Sequence, residues 1–437
     1  MHLRKIQAVR VKPAQGRMDI ERHADHALPA LEGTAEAADT PLVGSRSEIA
    51  AANCTGFSNR SWLTGLVVTT LSLLTWLPAP LGGQETTKDL DTSIRFSGDF
   101  RLRFEETDGD DPGNILFDSR QRLTLRFRAG FTKAVNEYIS LGARLVTGDP
   151  GDPNTSDVTL GDFVDDLAVS LDRAYLQLQL GGLSATGGKI PNPFMRTDLV
   201  WDGDVNPEGV SARFTFPVAK GITSSLTAIF RTIDEQARTD IEDSKMVGGQ
   251  VEVAFEPTRS VGLRFAGSYY DYEIKSLADA DAGDTRSNYL ATEDSFLSDF
   301  NLLNILATAR FPGPHPRWPI SLVGDYVKNL GINEAVREED TGFSIDLFIG
   351  TASTQGDVRF RYGFSEAGTD AVLAAFSHDN TTIATNYRQH SVSAGFLGLK
   401  DTSFELTWYY YRKKRLVTIE DRKDWVSRLR LSASVQF

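Results

Sequence analysis

Trp425-Val426-Ser427-Arg428-Leu429-Arg430-Leu431-Ser432-Ala433-Ser434-Val435-Gln436-Phe437 closes the chain, and its side chains alternate. Trp425, Leu429, Leu431, Ala433, Val435 and Phe437 share one face with Ser427, while Val426, Arg428, Arg430, Ser432, Ser434 and Gln436 share the other. Alternation sustained over this length marks a strand, because successive Cβ atoms point to opposite faces of a sheet. The same pattern recurs far upstream. Ile94, Phe96, Gly98, Phe100, Leu102 and Phe104 alternate with Arg95, Ser97, Asp99, Arg101, Arg103 and Glu105. Leu123, Leu125, Phe127, Ala129 and Phe131 then stand against Arg122, Thr124, Arg126, Arg128 and Thr132.

Between these ends the period of two returns often enough to predict about sixteen strands, each long enough for a tilted membrane crossing of roughly 9–11 residues. The connections alternate in length. Short ones such as Gly181-Gly182 and Lys400-Asp401 are interleaved with long ones such as 148–167, 191–207, 273–299 and 366–386. Transmembrane barrels have short periplasmic turns and longer external loops, and their closed sheet leaves no unpaired edge in lipid. The fold class expected is therefore all-β: a transmembrane antiparallel β-barrel of about 16 strands. A soluble sandwich or propeller is the alternative, with its apolar face turned inward. Aromatic positions fit girdles at two interfaces. Phe437 and Trp318 fall at the short-turn end, and Trp425, Tyr269, Tyr272 and Tyr409-Tyr410-Tyr411 at the long-loop end.

Composition narrows the classes further. The 437 residues carry a net charge of −13, six His and one Cys, with a mean hydropathy of −0.25. That balance excludes a multi-helix membrane protein, which needs several apolar runs of about 20 residues. The acidic charge argues against nucleic acid as a partner. One Cys permits no intrachain disulfide. Trp62 to Ala79 is apolar and uncharged, follows Arg60, and precedes the small residues of Pro80-Leu81-Gly82-Gly83. Residues 59–83 read as a secretory signal peptide, with a membrane anchor as the alternative. Residues 1–58 precede it and read as a start placed too far upstream, or as an unusually long leader. Residues 84–437 then form a single exported barrel without Cys, since Cys54 precedes the apolar run. Eight basic and seven acidic residues lie in 1–83, which leaves 38 basic and 52 acidic residues, a net of −14, for the remainder.

The terminal segment Leu429–Phe437 resembles the C-terminal signal of bacterial outer-membrane barrels, a final alternating strand closed by Phe, here Phe437. Gly187-Gly188-Lys189-Ile190-Pro191-Asn192-Pro193-Phe194, with Asp198-Leu199-Val200-Trp201-Asp202-Gly203-Asp204 and Pro207-Glu208-Gly209, resembles the putative-porin family of Gram-negative outer-membrane β-barrels. The resemblance extends over roughly residues 90 to 437. It implies a water-filled diffusion channel in the cell outer membrane, inserted by the barrel assembly machinery, and it names no solute. The long stretch before the signal departs from the family pattern.

The polar strand faces are expected to line the lumen, and arginines concentrate where closure brings the last, first and second strands together. They are Arg428 and Arg430, then Arg95, Arg101 and Arg103, then Arg122, Arg126 and Arg128, with Arg359 and Arg361 farther round. Such a wall selects permeants by sign; alternatively, it pairs with Asp99, Glu105 or Glu405 and serves as scaffold. The loop Pro191–Pro207, stiffened by proline, is the candidate constriction, its Asp198, Asp202, Asp204 and Glu208 forming an acidic edge opposite the arginines. Acidic loops 108–114 and 149–154 resemble oxygen-ligand loops for Ca²⁺ without the spacing of an EF-hand; they read first as solvated turns, with divalent bridging to lipopolysaccharide as a minor reading. His390-Ser391 is the one pointer to an outer-membrane lipid hydrolase, and adjacent strand residues face opposite ways. The expectation is a non-enzymatic porin for small hydrophilic solutes and ions. A substrate-specific, anion-selective porin is the alternative, and a barrel plugged by its loops is the third reading. No cofactor, catalytic residue or metal is required. The expected partners are outer-membrane lipid, lipopolysaccharide and a possible homotrimer by analogy.

Overall fold

The computed structural model describes residues 93–109, 119–149, 151–152, 154–161, 166–237, 242–258, 260–277, 280, 282–416 and 424–437. The signal peptide and the stretch before it lie outside the described residues, as does most of the acidic loop 108–114.

Sixteen long strands among the described residues form one closed antiparallel sheet, to which the short segment Val158–Leu160 adds a seventeenth strand paired with Leu123–Leu125. They are β1 (Ile94–Asp108), β2 (Ser119–Ala134), β3 (Ile139–Thr147), β4 (Val169–Leu180), β5 (Leu183–Lys189), β6 (Glu208–Ala219), β7 (Ile222–Asp234) and β8 (Ser244–Phe255). The second half comprises β9 (Gly262–Glu273), β10 (Phe300–Phe311), β11 (Ile320–Asn329), β12 (Thr341–Gly350), β13 (Val358–Ala367), β14 (Tyr387–Leu399), β15 (Thr402–Lys413) and β16 (Val426–Gln436). Each strand pairs with its sequence neighbours, and β1 pairs with β16 from Asp99↔Gln436 to Asp108↔Ser427. Every strand therefore has two partners, which is what a spanning sheet needs where no water can satisfy an edge.

Burial is inverted relative to a soluble protein. Phe100, Leu102 and Phe104 on β1, Leu123 and Phe127 on β2, and Leu431 and Val435 on β16 are exposed. Their polar neighbours Glu105, Thr124, Arg428 and Arg430 are buried. The apolar face looks outward, so the sandwich alternative, with its apolar face inside, does not hold.

Turn chemistry sets the strand order. Gly181 has φ +55°, the left-handed conformation that a two-residue hairpin turn requires. Asp401 adopts φ +57° in the corresponding turn between β14 and β15. Eight connections lie at the opposite end. Among the described residues, L2 (148–168), L3 (190–207), L5 (274–299) and L7 (368–386) contribute to the interior.

Girdle positions divide by parity. Outside, Tyr410 stacks on Trp425 at 4.5 Å and on Trp408 at 5.4 Å. At the short-turn end Phe437 stacks on Phe127 at 6.3 Å and Trp318 on Phe360 at 6.0 Å. Tyr272, Tyr409 and Tyr411 do not join a girdle. They alternate with the outward residues, point inward, and are buried against loops.

Candidate functional site: the constricted lumen

The first strand, the last strand and β2 carry their arginines on the inner face, as alternation dictates, and most meet a carboxylate there. Glu105 lies opposite Arg430 on one side and Arg122 on the other. Its carboxylate accepts from Arg430 at 2.5 Å and from Arg122 at 2.6 Å, with Arg428 at 3.8 Å. Asp99 pairs with Arg126 at 2.7 Å. Arg359 and Glu405 are 3.5 Å apart. Arg95 stands at the exposed short-turn end. The remaining wall arginines are met from the loops. Asp157 of L2 accepts from Arg101 at 2.8 Å and Arg103 at 2.6 Å. Asp204 of L3 accepts from Arg128 and from the Ser156 hydroxyl at 2.9 Å. Burial opposes the charge on Asp157, yet Arg103 and Arg101 hold its carboxyl down to about 2.

L3 folds into the barrel because its backbone and side chains find partners on the inner wall. The Gln250 amide of β8 both donates to the Met195 carbonyl and accepts from the Met195 N–H, each at 2.8 Å. The Thr197 hydroxyl donates to Asp325 on β11. Trp201 is fully buried and lies edge-on to Tyr270 at 5.7 Å. The four acids of this segment separate. Asp204 touches the arginine wall directly. Asp198 accepts from Asn380 at 3.3 Å, on the opposite side of L3. Burial pushes its carboxyl up, against the pull of Arg361 and Arg196. Asp202 is pushed up further by burial and by the charges of Asp379, Asp198 and Asp204. Glu208, at the start of β6, binds Lys189 at 2.5 Å.

L7 also folds inward, which the sequence reading did not foresee. Ala371, Val372, Ala374 and Phe376 are buried. Phe376 stacks on Trp201 at 5.6 Å, and its carbonyl accepts from the Asp202 N–H at 2.8 Å. Asn288 of L5 clamps L7 from outside, donating to the carbonyls of Thr369 at 2.8 Å and Val372 at 2.9 Å and accepting from the Ala374 N–H at 2.7 Å. L2 contributes Asn154, buried and donating to the Ser377 carbonyl at 2.6 Å. The acidic stretch 149–154 is therefore not wholly a solvated turn, because its last residue is part of the interior. The signal that marks L7 is its apolar run Ala371-Val372-Leu373-Ala374-Ala375-Phe376, unusual in an external loop.

Residues 106–295 match the family model described as putative porin. That match spans less than half of the chain, and the sixteen-stranded barrel is of the outer-membrane porin type. Among solved structures it is similar to OprB of Pseudomonas putida, with 10% identity, a TM-score of 0.52 and coverage of 80% of this chain and 95% of that one. An anion-selective porin from Comamonas acidovorans matches with 11% identity, a TM-score of 0.47 and coverage of 79% and 99%. OmpF of Salmonella typhi matches with 11% identity, a TM-score of 0.47 and coverage of 79% and 97%. No curated protein sequence matches the chain.

A cavity of about 390 Å³ lies inside the barrel between L3, L7 and the inner faces of β10 to β14. Asp198, Arg361 and Asp346 border it, and Arg361 binds Asp346 at 2.9 Å. Arg361, which the sequence placed apart from the main arginine cluster, borders this space together with Arg196 of L3. His390 does not reach the lumen. It faces outward, 3.0 Å from the Tyr362 hydroxyl and 5.8 Å from the Trp425 ring, while Ser391 is buried on the inner face. The two cannot share a site.

Proposed function

We propose that this porin passes small hydrophilic solutes and ions along the β10–β14 side of its lumen, and that the arginine wall acts mainly as scaffold. The observation that carries this reading is the position of Asp157 and Asp204. Both lie within ion-pair distance of wall arginines, and neither lines the cavity beside β10–β14. Paired charges in a narrow lumen contribute little net field to a passing ion, so the reading favours a weakly selective channel over a strongly anion-selective one. We further propose that residues 59–83 are removed on export, that Phe437 is read by the barrel assembly machinery, and that the barrel forms a homotrimer among outer-membrane lipid and lipopolysaccharide.

Planar-bilayer recording of the porin extracted folded from outer membranes, under a salt gradient, tests the central claim. Stepwise conductance with a reversal potential near zero is expected. A large anion-directed potential would return selectivity to the arginines, and silence from a correctly folded barrel would mean that the loops plug it.

A further inference from the structure

Three polar side chains, each more than nine-tenths buried, border the β10–β14 cavity with atoms that have no partner: the Ser344 hydroxyl, the Gln389 Oε1 and both ring nitrogens of His378. An unsatisfied buried polar atom is destabilising. Four of them, on three side chains, converging on one space is the arrangement of a site that completes its hydrogen bonds with an occupant. Together they offer an acceptor from the amide, either role from the hydroxyl, and one donor and one acceptor from a neutral imidazole. His378 is neutral, because burial and then the positive charges of Arg286, Arg430 and Arg428 push it down to about 3.

The charges around the cavity already balance. Arg361 is bound to Asp346 at 2.9 Å. Arg196 donates to the carbonyls of Trp201 at 2.9 Å and Gly203 at 3.3 Å, and Asp198 accepts from Asn380. Two guanidinium groups and two carboxylates leave no uncompensated charge for an ionic ligand to meet. Leu306, Val323 and Phe348 give the same space an apolar side. Hydroxyls on one face, carbon–hydrogen surface on the other and no net charge describe a small polyol. We propose that this cavity is a binding station for neutral polyhydroxylated solutes of about six carbons, held by Ser344, Gln389 and His378 on their way through the channel. The proposal rests on passage along the β10–β14 side.

Three open-chain probes of matched size separate the possibilities: sorbitol (neutral), gluconate (anionic) and N-methylglucamine (cationic). Each is titrated against the potassium chloride conductance of the full, folded porin in planar bilayers. Sorbitol is expected to lower the conductance saturably, and the two ions are expected not to saturate over the same range. The double variant Ser344→Ala/Gln389→Leu is expected to bind sorbitol about tenfold more weakly, the loss of one to two hydrogen bonds. A sorbitol effect that only follows solution viscosity overturns the station, and so does saturation by either ion as tight as that by sorbitol. The comparison of probes needs no variant, so it decides the matter even if the double variant fails to assemble. A barrel that conducts no salt at all overturns the passage and the station with it.

Discussion

Asp157 shows how one carboxylate can change the character of a lumen. It sits between Arg101 and Arg103, and sequence alone could not pair it with them, because the contact depends on Val158–Leu160 adding to the wall beside β2. Asp157→Asn is expected to free both guanidinium groups and raise the chloride-to-potassium permeability ratio severalfold, read as a reversal-potential shift. Its carboxyl is held down to about 2. The stability it contributes is thus present above the unfolded carboxylate value of about 3.9 and is lost as pH falls toward 2. Asp202 behaves in the opposite sense. Burial raises its carboxyl, so the stability linked to its protonation is present at low pH and is lost as pH rises through its folded value. Asp202→Asn is therefore expected to raise the unfolding temperature relative to the parent at pH 8, with the difference shrinking at pH 4. An equal gain at both pH values would remove the charge from the explanation.

At the scale of elements, the interior is made by loops clasping one another. L3 was legible as the candidate constriction from its prolines and its acids. L7 was not, because loop apolarity alone does not distinguish a segment that packs inside a barrel from one that packs on its rim. The junction is the stack of Trp201 on Phe376, with Arg231 4.3 Å over the Phe376 ring. Truncating a buried aromatic costs about 3–5 kcal/mol. Trp201→Ala is expected to loosen L3 from L7, giving larger and noisier single-channel steps. Asn288→Ala is expected to do the same from the other side, since it removes a clamp that makes four hydrogen bonds to L7. Unchanged conductance in both variants would mean that these loops lie off the permeation path.

At the scale of the whole molecule, nearly all of the fold was readable. Alternation reports which face meets lipid, and loop length reports which end carries turns; neither needs tertiary information. Tyr272 was grouped with the girdle although its parity, opposite to that of outward Tyr269, turns it inward; what alternation does not report is what fills the inside, so the lumen's occupants were missed. Closure depends on the ends of the chain. The Gly98 N–H donates to the Phe437 carbonyl at 2.8 Å, and the Phe437 N–H donates to the Gly98 carbonyl at 3.1 Å. Phe437→Ala is expected to lower the amount of heat-modifiable barrel recovered from outer membranes, while barrels that do form conduct normally. An undiminished yield would leave the terminal ring no part in assembly.

The ion cluster at that seam has a consequence for how the cylinder finds its proper alignment. A slip of one residue between β1 and β16 turns every side chain to the wrong face and is forbidden by lipid. A slip of two keeps each face correct, and greasy surface cannot detect it. Glu105 can. In the native register it lies opposite Arg430, whereas a shift of two would set it against Ser432 or Arg428 and strand a guanidinium in a poorly hydrated interior. The arginines gathered from both ends of the chain thus work as a vernier, reading the one error to which the hydrophobic pattern is blind.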